Sequence, residues 1–242
     1  NQIALASLMM NTKMNNSKTI DETMVRHMIL NSIRMYRKQY HSEYGEVVLT
    51  WDSKHSWRRD YYPEYKAGRR KGREGNKDFW NNVFSILNTI RSEIKENFPY
   101  KYLEVFGAEA DDIIGFLCEE NRDEKIMIIS GDKDFIQLQK YSNVTQWSPI
   151  TKKQVNGFDP TIYLKEHILK GDTSDGVPNV LSPDNTFVDG LRQRPLTRKK
   201  IQSWLVGGGS DWNDEVKRNF QRNLTLIDLT KTPEELKNQI RL

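Results

Sequence analysis

Twenty-six residues, Glu109 to Asp134 (EADDIIGFLCEENRDEKIMIISGDKD), constrain the fold more than any other stretch. Three acids, Glu109, Asp111 and Asp112, open a run whose apolar residues share one helical face to about Glu120. A short apolar strand is expected at Ile126–Ile129, with Gly131, Asp132 and Asp134 directly after it. α/β sheets bind ligands beyond the carboxyl ends of their strands. Carboxylates crowded there repel one another and raise each other's pKa. Hard divalent cations such as Mg²⁺ or Mn²⁺ remove that cost by taking oxygen ligands. Either half alone reads equally as a solvated helix start or a polar turn, because acids favour a helix's first turn and turns favour Asp and Gly. The two halves together point to a carboxylate metal site.

A second run with the same character is Glu46–Asp52 (EVVLTWD), β-branched and ending in an acid. Taken alone, Asp52 reads as well as a turn residue; beside the Asp132 strand it fits one rim of a parallel sheet. A third acidic pair, Asp172 and Asp175, lies in GDTSDGVPN, where a turn or cap explains it equally in isolation.

Between the first two runs lies a basic stretch, Ser53–Asn76. Arg58, Arg59, Lys66, Arg69, Arg70, Lys71 and Arg73 are interleaved there with Trp57, Tyr61, Tyr62 and Tyr65, and Gly68, Gly72 and Gly75 loosen its second half. Basic side chains neutralise phosphates and aromatics stack on unpaired bases. A solvated basic loop is the plainer reading. The acids on both sides favour a nucleic acid that bridges basic loop and metal.

The remaining elements follow from periodicity and breakers. Residues 2–10 form an apolar run. Thr19 and Glu22 have capping-box spacing ahead of a helix that ends near Gly45. An amphipathic helix is expected over 77–98, a strand over 100–106 and an edge strand over 144–149. Phe135–Leu138 should pack back on the core. Asp159 and Pro160 cap and begin a helix through Leu169 that Gly171 stops. Further helices are expected over 197–205, 212–224 and 233–240. The four histidines, His27, His41, His55 and His167, show no metal-ligand spacing and read as surface or packing residues.

The chain has 242 residues, a net charge of +4 and a sequence pI near 9.0, with the positive charge unevenly spread. That unevenness favours a nucleic-acid partner. No apolar run approaches the roughly 18 residues of a membrane span. Nor is there a phosphate loop ending in Lys-Ser or Lys-Thr, which argues against NTP hydrolysis. The single cysteine, Cys118, reads as buried packing in a reducing, intracellular compartment. The first residue is Asn1 and the last lie in a helical pattern, so the sequence reads as cut at both ends.

Six motifs now stand in order: Trp51-Asp52, RRDYYPEYKAGR (58–69), EADD (109–112), SGDKDF (130–135), QWSP (146–149) and ILKGDTSDGVPN (168–179). In order and spacing the chain resembles the 5′-nuclease (flap endonuclease) superfamily, in particular its branch of T-even-type phage ribonucleases H. The resemblance implies an α/β, PIN-like core with a central, mostly parallel sheet. It implies a core over 1–150 that includes an arch or clamp at 53–76, and a helical, helix–turn–helix-type DNA-binding part over 151–242. Two Mg²⁺ ions, with Mn²⁺ as substitute, would be held by Asp52, Glu109, Asp111, Asp112, Asp132, Asp134, Asp172 and Asp175. A further family Asp, at the end of the first strand, falls before Asn1. Lys66 and Arg69 match the arch residues that offset charge on the phosphate, and Tyr65 would stack on an unpaired terminal base.

Nucleic acid would also meet Arg58, Arg59, Arg70, Lys71, Arg73, Arg198, Lys199 and Lys200. The family's glycine-rich turn, which holds a monovalent ion in relatives, is replaced here by GVPNVLSPDNTFVDGLRQRPLTRKK (176–200), leaving that ion open. The implied activity is 5′ to 3′ removal of RNA primers and DNA and cleavage of 5′ flaps. The substrates would be branched or primed duplex DNA and RNA/DNA hybrid, in the host cytoplasm, with a sliding clamp and single-strand-binding protein as partners and a monomeric enzyme. Two other readings are a PIN-type RNA endonuclease and a non-catalytic branched-DNA-binding module.

Overall fold

The structure, a computed structural model, describes residues 20–69 and 75–241. The apolar run at 2–10 and the basic residues Arg70, Lys71 and Arg73 lie outside them. Helix α1 (Glu22–Tyr44) begins at Asp21, whose side chain accepts from Met24 N, so Asp21 is the N-cap in place of the expected Thr19. Strand β1 (Val48–Thr50) pairs in parallel with β2 (Lys101–Leu103). Between them come the short helix α2 (Trp57–Tyr61) and the long α3 (Lys77–Asn97). The apolar faces of α1 and α3 meet in one cluster built on Val25, Ile29, Ile33, Val83, Ile86, Ile90 and Ile94.

Helix α4 (Ala110–Glu120) leads into β3 (Ile126–Ile129), which pairs in parallel with β4 (Val144–Ser148). The 3₁₀ segment Lys133–Lys140 connects them and buries Phe135, Ile136 and Leu138, the expected packing back on the core. The expected edge position of residues 144–149 is not what is found. β4 lies between β3 and a two-residue antiparallel strand, β5 (Lys153–Gln154), and its residues alternate between buried and half-buried. Among the described residues the strands form two small sheets, β1–β2 and β3–β4–β5.

Among the described residues four α-helices follow: α5 (Pro160–Lys170), α6 (Arg198–Gly207), α7 (Asp214–Ile227) and α8 (Glu234–Arg241). The last helix and the 3₁₀ turn before it (Leu229–Lys231) return to the acidic helix. Leu236 and Ile240 pack on Ile113 and Phe116, while Leu229 packs on Cys118, Ile128 and Phe135. Cys118 is fully buried, as its place on the apolar side of α4 requires. No described helix is long and apolar enough to cross a membrane.

Candidate metal centre

Each acid reaches the site for a local reason. Asp52 follows β1, and its Oδ1 accepts from Ala110 N (2.9 Å), tying the strand end to the N-terminus of α4. There an acid also meets the positive end of the helix dipole. Glu109 and Asp112 form a reciprocal capping box at the start of the same helix. Asp111, between them, faces the cavity. Beyond β3, Asp132 Oδ1 accepts from Asp134 N (3.1 Å). The buried Gln146 amide on β4 donates to Ser130 O (2.9 Å) and Asp132 O (2.6 Å), pinning the turn that carries both acids. Asp172 Oδ1 accepts from Ser174 N (2.7 Å) and Asp175 N (3.1 Å), folding the third acidic pair into an Asx-type turn.

One cavity is lined by Glu109, Asp111, Asp134, Asp172 and Asp175, with Arg58 and Tyr65 at its wall. Lys66 and Arg69 pair with acids that line it. Lys66 Nζ lies 2.6 Å from Glu109 Oε1 and 3.5 Å from Asp175 Oδ2. Arg69 pairs with Asp175 and donates to Ser174 O (3.2 Å). The arch backbone is fixed here too, because Lys66 N donates to Asp175 O (2.7 Å). Lys66 has φ 56°, a left-handed conformation that is uncommon for a residue with a Cβ. Strain of this kind collects at functional sites. The hydroxyl of Tyr65 lies 2.8 Å from both Glu109 Oε2 and Asp175 Oδ2 and shares its one hydrogen between the two acids.

Four sequence expectations need correction, those for Arg58, Tyr65, His167 and Asp112. Arg58 does not face a nucleic acid: it is 2% exposed, donates to Leu226 O (2.8 Å) and pairs with Glu109 (3.2 Å) and Asp112 (2.8 Å). Tyr65 is 4% exposed, so its ring is packed in the core and unavailable for base stacking in this conformation. His167 is neither surface nor packing: its ring sits between Asp134 and Asp172. The signal was its place in the last turn of the helix leading to Asp172, legible only once the helix direction is known. Asp112 is fully buried and saturated by Arg58, Trp57 Nε1, Thr232 Oγ1 and Glu109 N, which makes it a support for the helix start.

The electrostatics single out Asp111 and Asp134. Among the described residues neither has a Lys or Arg within ion-pair distance. Burial, then the charges of Asp52 and Asp132, pushes Asp111 well above the usual carboxylate range. Burial likewise pushes Asp134 up to about 7, with Asp132, Asp172 and Asp175 adding to it and His167 opposing. Burial also raises Asp172, but hydrogen bonds from His167 and Ser174 outweigh it and hold that acid below its ordinary value. Such a set, rich in carboxylates that resist ionising, suits a divalent cation. Of the other residues expected to touch nucleic acid, Arg59 is half-buried in α2, and Arg198, Lys199 and Lys200 are exposed at the start of α6.

Known proteins share this architecture. The family model of the 5′–3′ exonuclease, N-terminal resolvase-like domain, matches residues 5–167. Ribonuclease H of Enterobacteria phage T4 is 34% identical over 257 aligned positions, which take in 99% of this chain and 82% of that protein. The T5 D15 protein co-crystallised with metal ions superposes with a TM-score of 0.67 at 19% identity, covering 97% of this chain and 94% of that one. The bacteriophage T5 D15 flap endonuclease in complex with DNA and metal ions gives a TM-score of 0.65 at 19% identity, covering 93% and 90%. At that identity the two structures speak for the fold. The family match over most of the chain, and a relative aligned along nearly all of it, show that the chain belongs to the 5′–3′ exonuclease family of nucleases, enzymes that hydrolyse phosphodiester bonds.

Proposed function

We propose that this chain is a divalent-metal-dependent, structure-specific 5′-nuclease that removes RNA primers and 5′ flaps in DNA replication. The observation that carries the reading is the convergence of Glu109, Asp111, Asp134, Asp172 and Asp175 on one cavity, with Lys66 and Arg69 paired to its acids. The donor chemistry fits two Mg²⁺ ions, with Mn²⁺ as substitute: oxygen ligands from three segments, with Asp111 and Asp134 held above the usual carboxylate range by burial and neighbouring acids. Asp52 and Asp132, at the two strand ends, complete the proposed ligand set. Divalent ions, when bound, supply an acidified water and a clamp for the scissile phosphate.

The chain's own residues do the rest. Lys66 and Arg69, internal counter-ions of Glu109 and Asp175 here, turn to the phosphate and stabilise the charge that develops on it. Tyr65, buried against the same two acids, holds their carboxylates in place. Arg59, the arch residues Arg70, Lys71 and Arg73, and Arg198, Lys199 and Lys200 neutralise the backbone of duplex or RNA/DNA hybrid. Contacts of this kind follow shape and strand ends rather than base sequence. The helices after residue 151 form the duplex-binding part in this reading. A monovalent ion in the 176–200 turn, a sliding clamp, a single-strand-binding protein, a monomeric state and the host cytoplasm rest on the family resemblance.

The test is a panel of 5′-labelled substrates, a flap, a nicked duplex and an RNA-primed duplex, each with Mg²⁺ or with EDTA. Short 5′ products that appear only with Mg²⁺ are expected. Tight flap binding without cleavage under any divalent metal would support a binding module instead.

A further inference from the structure

His167 stands in the last turn of α5 with carboxylates from two other segments on either side. Its Nδ1 is sealed from solvent, has no hydrogen-bond partner, and lies 3.4 Å from Asp134 Oδ1. Its Nε2 lies 3.5 Å from Asp172 Oδ2. The ring's direction is built in. Asp159 caps α5, Pro160 opens it and Gly171 ends it, while Ile168 and Leu169 bury against the core and turn residue 167 toward the acids. Tyr163, one turn earlier, meets the imidazole edge-on at 6.0 Å.

A buried nitrogen without a partner is costly and calls for an explanation. Ligand atoms about 2.1 Å from one metal ion sit roughly 3.0–3.5 Å from each other in octahedral or tetrahedral arrangements. The Nδ1 to Asp134 separation falls in that range, longer than a good hydrogen bond. The other ring nitrogen faces Asp172 Oδ2 at 3.5 Å, near enough for that carboxylate to take its hydrogen once the ring ligates. Asp172 uses Oδ1 for two backbone amides and leaves Oδ2 facing Nε2, the carboxylate–histidine arrangement that fixes tautomer and ring orientation. One ligand atom each from Asp134, His167 and Asp172 can be taken within 4.8 Å of one another.

Resting on the metal-dependent reading above, we propose that His167 Nδ1 is a ligand to the divalent ion held at Asp134, with Asp172 orienting the ring. Mg²⁺ demands oxygen ligands and a near-ideal octahedron, whereas imidazole suits first-row transition ions. A nitrogen at this position therefore moves the preference of the site from Mg²⁺ toward ions such as Mn²⁺.

The experiment uses Mn²⁺ itself as probe, with the full-length chain and without substrate. Pulsed electron paramagnetic resonance on the Mn²⁺-loaded protein reads nitrogen bound directly to the ion. The expected result is a ¹⁴N coupling in the wild type that disappears in His167→Ala, or in His167→Gln if the alanine variant does not fold. Calorimetry should show the ratio of Mn²⁺ to Mg²⁺ affinity falling on the order of tenfold in the same variant. If Mn²⁺ binds but shows no coordinated nitrogen, or the coupling survives in the variant, the ligand role is overturned and the metal-dependent reading stands. If the wild type binds no Mn²⁺ at all, both fall together.

Discussion

The guanidinium of Arg58 holds Glu109, Asp112 and the Leu226 carbonyl at once, at 2% exposure. Breaking a buried pair from one side strands the other charge, so Arg58→Ala should cost about 3–5 kcal/mol, measured by chemical denaturation. An unchanged midpoint would show that Glu109 and Asp112 do not depend on it. Asp134 gives a prediction of opposite sign. Its pKa in the fold, about 7, is above that of the unfolded chain, so the fold favours the neutral acid. That contribution is fully present below about pH 4 and is lost as pH rises through about 7. In EDTA, Asp134→Asn should therefore match the wild type near pH 4 and exceed it at pH 8 by about 4 kcal/mol. A difference that stays flat across that window would mean Asp134 ionises normally. The acids themselves were legible in the sequence because type and spacing recur in three segments. The inward turn of Arg58 and Tyr65 was not, because a basic, aromatic stretch looks the same whether it faces DNA or the acids beneath it.

The elements that carry the site are short and pinned by single residues. Gly171 ends α5 at φ 69°, and a Cβ there would lie 2.4 Å from Val177 O. Gly171→Ala is strained in both backbone and packing, and should cost more than about 1 kcal/mol where a compatible glycine exchange would stabilise. It should also weaken divalent-cation binding, since the Asp172–Asp175 turn hangs from this residue; thermal melts and calorimetry read the two effects separately. A variant as stable as the wild type would show that the turn can relax. Helices such as α3, α4 and α5 were legible to within a few residues, because apolar spacing, caps and breakers are local. The pairing of β4 on both sides was not, since residues 153–154 carry no strand pattern of their own.

Across the whole molecule, the two halves of the chain close on the same acids. Leu226 and Ile227 from α7 share a cluster with Tyr62 and Tyr65 of the arch, and Thr232 Oγ1 donates to Asp112 Oδ1 (2.9 Å) from beyond that helix. Buried polar groups of α7 reach the turn after Asp175 as well: Asn223 donates to Pro178 O (2.9 Å), and Arg222 pairs with Asp184 and donates to Pro178 O. These long-range ties are invisible to periodicity, because Asn219, Arg222 and Asn223 read as the wet face of a surface helix. In the proposed reading, the acids at the strand ends hold the ions that drive cleavage while other surfaces bind nucleic acid. Asp132→Asn, assayed side by side for cleavage of a 5′-labelled flap in Mg²⁺ and for flap binding, tests it most directly. Cleavage should fall by about a hundredfold or more, beyond what supporting residues around a metal cost, with binding retained. Undiminished cleavage would show that Asp132 holds no ion needed for the reaction.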